Sequence, residues 1–118
     1  MSLNNASDLA FTSALTQAKL IKERLVTPLE LTEMYLDRIA KYDPQVGSFN
    51  YVARENAIAE AKVKSAQLEQ SLDTNCLPPF FGVPIAIKDM KSVAGMPISY
   101  GISTLKEQIA TYDDGVVS

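Results

Sequence analysis

The chain has 118 residues, 47% hydrophobic and 21% charged, a balance that supports one small folded domain and excludes a largely disordered chain. Lys+Arg total 11 and Asp+Glu 14, a formal charge of −3 with no basic stripe, so no nucleic-acid partner is expected. There is no His, which removes His-based triads and His-ligated metal sites from this chain, and the single Cys, Cys76, allows no internal disulfide.

No apolar run approaches the roughly 20 residues of a spanning helix, so no membrane association is expected. Met1 to Asn5 has no basic residue and no apolar core behind it, which predicts no signal peptide and a cytoplasmic location.

The first half reads as helices. From about Ser7 to Leu25, apolar residues recur at Phe11, Ala14, Leu15, Ala18, Ile21 and Leu25. That spacing is close to 3.6 and predicts one helix with this face buried. Thr27-Pro28-Leu29-Glu30 opens a second helix as a capping box, with Pro28 at the first helical position. Val26 and Leu31 are placed to form the hydrophobic staple. The face Leu31, Tyr35, Ile39 and Tyr42 is expected in the core, and Asp43-Pro44 is expected to stop the helix.

Gln45 to Tyr51 is a connector turning at Gly47, with short extended structure expected around Phe49, Tyr51 and Val52. A third helix is predicted from about Ala53 to Leu72, with the face Ala53, Ala57, Ala61, Ser65, Leu68 and Leu72. Asp73 to Pro79 is a loop, and Cys76 is an ordinary residue in it. Phe80 to Ile87 is nearly all apolar and predicts a short strand buried on both faces, with Pro84 near its start. Val93 to Gly101 is a loop turning at Gly95-Met96-Pro97, and Leu105 to Ile109 is expected to form a short helical turn.

Lys88 follows this apolar run directly. A lysine fixed at a strand end inside a cleft loses hydration, which disfavours its charged form. A neutral lysine is a competent general base for a serine nucleophile. The ordinary alternative is a side chain that reaches out to solvent. Asp89 is expected to hold the strand end or a loop by accepting backbone amides. Ser92, Ser99, Ser103 and Ser118 are isolated and read as ordinary polar residues.

Gly82-Val83-Pro84-Ile85-Ala86-Ile87-Lys88-Asp89 resembles the lysine motif of the amidase-signature family. The flanks agree. Thr27-Pro28-Leu29-Glu30-Leu31-Thr32 and Leu36-Asp37-Arg38-Ile39 resemble the family's second helix, and Phe49-Asn50 its following connector. Ser92 to Pro97 and Asp113 to Val117 resemble the next two segments. Two positions depart from the family pattern: Ile102 stands where a small hydroxyl residue is common, and Asp114 where a small residue is common.

The resemblance implies an α/β fold, with N-terminal helices leading into the first strand of a mixed sheet that is incomplete in this chain. Residues 1–118 are then the N-terminal part of a single amidase domain, helical over 1–75, with strand, lysine motif and loops over 80–118. It implies amide C–N hydrolysis by a Ser–cis-Ser–Lys triad, with a Gly/Ser-rich loop as oxyanion hole. Lys88 is the base and Met96 a pocket-lining residue in substrate binding. No metal and no organic cofactor are implied, and the partner is a small-molecule amide.

Both serines are expected beyond Ser118, so the 118-residue chain alone is expected to be inactive. The competing reading is a non-catalytic remnant or interaction module that self-associates through exposed sheet edges and apolar faces. A lysine Schiff-base enzyme is a third reading.

Overall fold

The computed structural model describes residues 9–118 of the chain. They divide into two compact units: one comprises the chain up to Pro44 with Arg54–Pro84, the other Gln45–Ala53 with Ile85–Ser118. Helices α1 (Ala14–Lys22), α2 (Pro28–Val46) and α3 (Arg54–Gln70) are followed by 3₁₀ turns at Thr74–Cys76 and Ser103–Leu105.

The first predicted helix is interrupted. Thr12 N and Oγ1 both donate to Leu9 O, and Ser13 then opens α1 by accepting from the Thr16 amide at 3.1 Å. A Ser side chain that caps the backbone competes with continued helix, which is why the break falls there. The buried face of α1 is Gln17, Ala18 and Ile21, while Phe11, Leu15 and Leu25 are exposed. Ser7 lies outside the described residues.

α1 ends in a Schellman motif. Leu25 N donates to Leu20 O and Arg24 N to Ile21 O, with Arg24 left-handed at φ 58°. The Arg24 guanidinium donates to Ser71 O at 2.7 Å, which holds a non-glycine residue in that conformation.

The capping box forms as its sequence predicts. Glu30 N donates to Thr27 Oγ1 at 3.1 Å and Thr27 N donates to Glu30 Oε2 at 2.8 Å. Pro28 has no amide to satisfy, the Leu29 amide donates to Ser65 Oγ of α3 at 3.1 Å, and Leu31 N donates to Thr27 O. Every backbone donor in the first turn of α2 is therefore accounted for. The staple pair Val26 and Leu31 share one buried cluster with Ile21, Leu68 and Phe81.

Three expectations about helical faces and ends are corrected. Pro44 lies inside α2, which runs on to Val46 and stops before Gly47 at φ 68°. A proline in the last turn costs one hydrogen bond, and the left-handed glycine sets the end. Tyr35 packs against the core, but Tyr42 is exposed. Its ring lies 5.2 Å from the Arg38 guanidinium, which also sits 4.9 Å from the Phe11 ring, so Tyr42 joins a surface cation–π cluster. On α3, Ala61 and Leu68 are buried, whereas Leu72 falls after the helix and is fully exposed.

The predicted strand is also corrected. Phe80 to Gly82 form a turn, residues 83–88 are irregular, and no strand ladder occurs among the described residues. The only β pairing found there is an isolated antiparallel bridge, Pro97 with Ile109. Apolar β-branched composition does not make a strand without a neighbour to complete its hydrogen bonds, and residues 9–118 provide none for this segment. The mixed sheet is likewise not seen. The connector at 49–52 is not paired either, and the helical turn expected at 105–109 lies at Ser103–Leu105 instead.

Gly82 opens the lysine motif, and both its conformation and its contacts exclude a side chain. Its φ is 76°, and a Cβ built there would lie 2.6 Å from Pro28 Cγ and 3.4 Å from Ile21 Cδ1. Pro28 and Ile21 are among the most deeply buried side chains. The glycine thus lets the backbone at position 82 approach the start of α2 directly.

Candidate active-site segment

The second unit carries Lys88, Asp89 and Met96. Lys88 ends the irregular run 83–88. Its carbonyl accepts from Met90 N at 2.7 Å and Lys91 N at 2.9 Å, so the chain turns immediately after it. The Lys88 side chain is exposed. The crevice expected around it is not supplied by residues 9–118.

Asp89 behaves as its sequence reading anticipates, and on a larger scale. Its Oδ1 accepts from Ser99 N at 2.7 Å. Its Oδ2 accepts from Ser99 Oγ, from Asn50 Nδ2 at 2.7 Å and from Gly101 N at 3.1 Å. The Ser99 hydroxyl, followed by the Ser99 amide, holds the Asp89 carboxyl well below the usual carboxylate range, since each donor favours the charged form. Tyr100, between the two bound amides, has φ 51°, and Gly101 has φ 75°.

A pair of acidic residues, Asp113 and Asp114, ties the loops that follow. Asp114 Oδ2 accepts from Ser92 N at 2.7 Å, Asp114 N donates to Ser92 O at 2.9 Å, and Asp113 Oδ1 accepts from Ala94 N at 2.7 Å. Asp114, which departs from the family pattern, therefore has a structural task here. Around Gly95, at φ 80°, the chain pairs with residues 108–110. Gly95 N donates to Ala110 O, Ala110 N to Met96 O and Ile98 N to Gln108 O, all between 2.8 and 3.0 Å. Met96 is half-buried in this pairing.

Sequence reading missed Asn50 and Ser99 as partners of Asp89. Ser99 and Ser92 are both buried, which isolated serines in a polar loop do not advertise. The signal available was chemical: an aspartate in a turn needs donors, and two loop segments with Asn, Ser and Gly offered them. Cys76 is exposed in its loop and not in the core. In the first unit, Leu15, Lys19 and Lys22 of α1 face Thr74, Asn75 and Pro79 across an open depression of about 490 Å³. None of the motif residues 82–89 lines it.

The comparisons with known proteins bear on this segment directly. The family model described as Amidase matches residues 30–118, which include the capping-box glutamate, Lys88 and the Asp89 network. The chain belongs to the amidase family. A protein of Synechocystis sp. named "Putative amidase" is 57% identical over 112 residues, covering 95% of this chain and 22% of that protein. A glutamyl-tRNA(Gln) amidotransferase subunit of Acidothermus cellulolyticus is 39% identical over 111 residues, covering 94% of this chain and 21% of that protein. The corresponding protein of Paenarthrobacter aurescens is 38% identical over 106 residues, covering 89% and 20%. The chain spans about a fifth of the length of these curated relatives. Family membership supports amide hydrolysis at the level of the family. No helix among the described residues is long and apolar enough to cross a membrane.

Proposed function

We infer that the full-length protein hydrolyses the C–N bond of a carboxamide through a Ser–cis-Ser–Lys triad, and that this chain contributes the base, Lys88. The observation that carries the reading is the family match over 30–118, with the lysine motif at Gly82–Asp89 in its midst. One serine attacks the carbonyl carbon, the second relays its proton, and the Lys88 amine accepts it and returns it to the leaving amine; water then attacks the acyl-serine ester, releasing the carboxylic acid and restoring the serine proton through the same relay.

For this the amine must be neutral and shielded. The exposed Lys88 of residues 9–118 therefore has to be covered by further chain. Met96 borders the same loop region and is assigned to the substrate pocket. The substrate is a small-molecule amide, no nucleic-acid partner is invoked, and the setting is cytoplasmic. Two of the relatives described are named as glutamyl-tRNA(Gln) amidotransferase subunits, which makes amide transfer the variant of this chemistry that their names support.

The test is a serine-directed fluorophosphonate. The full-length protein should be labelled, Lys88→Met should slow labelling by about 10³-fold or more, and the 118-residue chain should remain unlabelled. Unchanged labelling of the Lys88→Met variant would refute the assignment of the base.

A second reading, self-association of the isolated chain, is favoured by one specific observation. In the second unit Ile85, Met90, Tyr100, Ile102, Ile109, Tyr112 and Val116 are all at least half exposed. Apolar exposure on that scale marks a surface that is covered in use. Sedimentation velocity should find dimers or larger species of the 118-residue chain. A monomer at high concentration would remove this reading.

A further inference from the structure

We propose that Asp89 is a positioning residue for the lysine base: its carboxylate ties Asn50 and the strained Ser99–Gly101 turn to the backbone next to Lys88. The proposal rests on Lys88 being the base, and it deepens that reading by naming what fixes the amine's point of attachment.

Four donors converge on the carboxylate from two other segments of the second unit. One ends on Oδ1 and three on Oδ2, each favours the charged carboxylate, and together they give Asp89 a structural task. The task is an unusual one. Tyr100 holds a left-handed backbone, φ 51°, which an aromatic residue adopts only where its surroundings impose it. The amides on either side of Tyr100, those of Ser99 and Gly101, both end on Asp89.

Lys88 is held from the other direction, since its carbonyl accepts the amides of Met90 and Lys91. The peptide between Lys88 and Asp89 is therefore fixed at both ends. The lysine stem is flexible and its side chain is exposed within residues 9–118, so the Cα is the part of Lys88 that this segment places. Displacing a reacting group by about 1 Å costs on the order of 10²-fold in rate.

The experiment uses the full-length protein and saturation kinetics of fluorophosphonate labelling, which separate the inactivation rate constant from the apparent binding constant. Asp89→Asn places an amide NH₂ among four donors and leaves a single acceptor oxygen. At 15 °C, with rates normalised to folded protein by melting temperature, the inactivation rate constant should fall about 10- to 100-fold while the binding constant stays within twofold.

Ser99→Ala removes one donor and keeps both backbone amides. It should lower the rate constant at least threefold with binding unchanged, and it decides the matter if Asp89→Asn does not fold. A rate constant within twofold of the unmodified protein, or a parallel loss of rate and binding, would overturn the proposal. Loss of labelling in Lys88→Met together with unaltered Asp89→Asn and Ser99→Ala kinetics would retain the base and remove the positioning role. Full labelling of Lys88→Met would instead remove the base itself, and the proposal with it.

Discussion

Replacing Gly82 by Ala puts a methyl group where the structure leaves no room. Two costs add. A left-handed backbone costs an L-residue roughly 1–2 kcal/mol, and Gly82 sits at φ 76°. The new Cβ would also meet Pro28 Cγ at 2.6 Å and Pro28 Cβ at 3.0 Å. Pro28 cannot swing away, because its ring is part of the backbone at the capped first turn of α2. Overpacking of this kind costs about 1–3 kcal/mol. Against these stands a gain of about 0.4–1 kcal/mol from restricting the unfolded chain. The net is a loss of about 1–4.5 kcal/mol, centred on about 3 kcal/mol. With a urea slope of about 1.5 kcal/mol/M, the midpoint followed by far-UV circular dichroism should fall by about 2 M. The double variant with Pro28→Ala should recover part of this, with a coupling of about 1 kcal/mol, because the ring that the methyl group strikes is gone. A midpoint shift under about 0.3 M, or strict additivity of the two changes, would refute the claim that Gly82 is required by contact with Pro28.

Three further outcomes follow from the hydrogen bonding. Asp89 has its folded pKa below the unfolded value of about 3.9, so its contribution is complete above that pH and is lost as pH falls towards the folded value. Hydrogen exchange of the Ser99 and Gly101 amides should therefore lose protection on acidification below about pH 4, and Asp89→Asn should abolish both the protection and its pH dependence. Glu30→Ala breaks one half of the capping box and should cost about 1 kcal/mol in urea unfolding, whereas Glu30→Gln, which keeps an acceptor for the Thr27 amide, should cost less than half of that. Tyr35→Phe removes a hydroxyl that accepts from Gln17 Nε2 at 2.6 Å and donates to Ala10 O at 3.2 Å. With Gln17 buried, the loss should be about 1 kcal/mol, and near-zero change would show that Gln17 finds its acceptors at Leu9 and Thr12 alone.

What the sequence disclosed depended on how local the cause was. The capping box is encoded within four residues, and each predicted bond of Thr27 and Glu30 is present. The end of α1 is equally regular in its bonding, yet Arg24 stands where a glycine normally marks that motif, and its guanidinium bond to Ser71 spans 47 positions. The apolar run 80–87 misleads for a related reason. Its composition is of the kind found in buried strands, but a ladder needs two paired segments, and among the described residues this run pairs with none. The same logic divides the candidate site. Asp89 was legible as a loop holder because aspartate in a turn seeks donors, while the choice of Asn50, Ser99 and Gly101 as those donors is made by the fold. The motif singled out Lys88, and the shielding that its proposed role as base requires is absent within residues 9–118. On that proposed role the segment fixes where the amine is attached and not how basic it is, and these two properties should be separable by mutation: changes at Asp89 should alter the rate at every pH, whereas changes in whatever covers Lys88 should move the pH at which that rate appears.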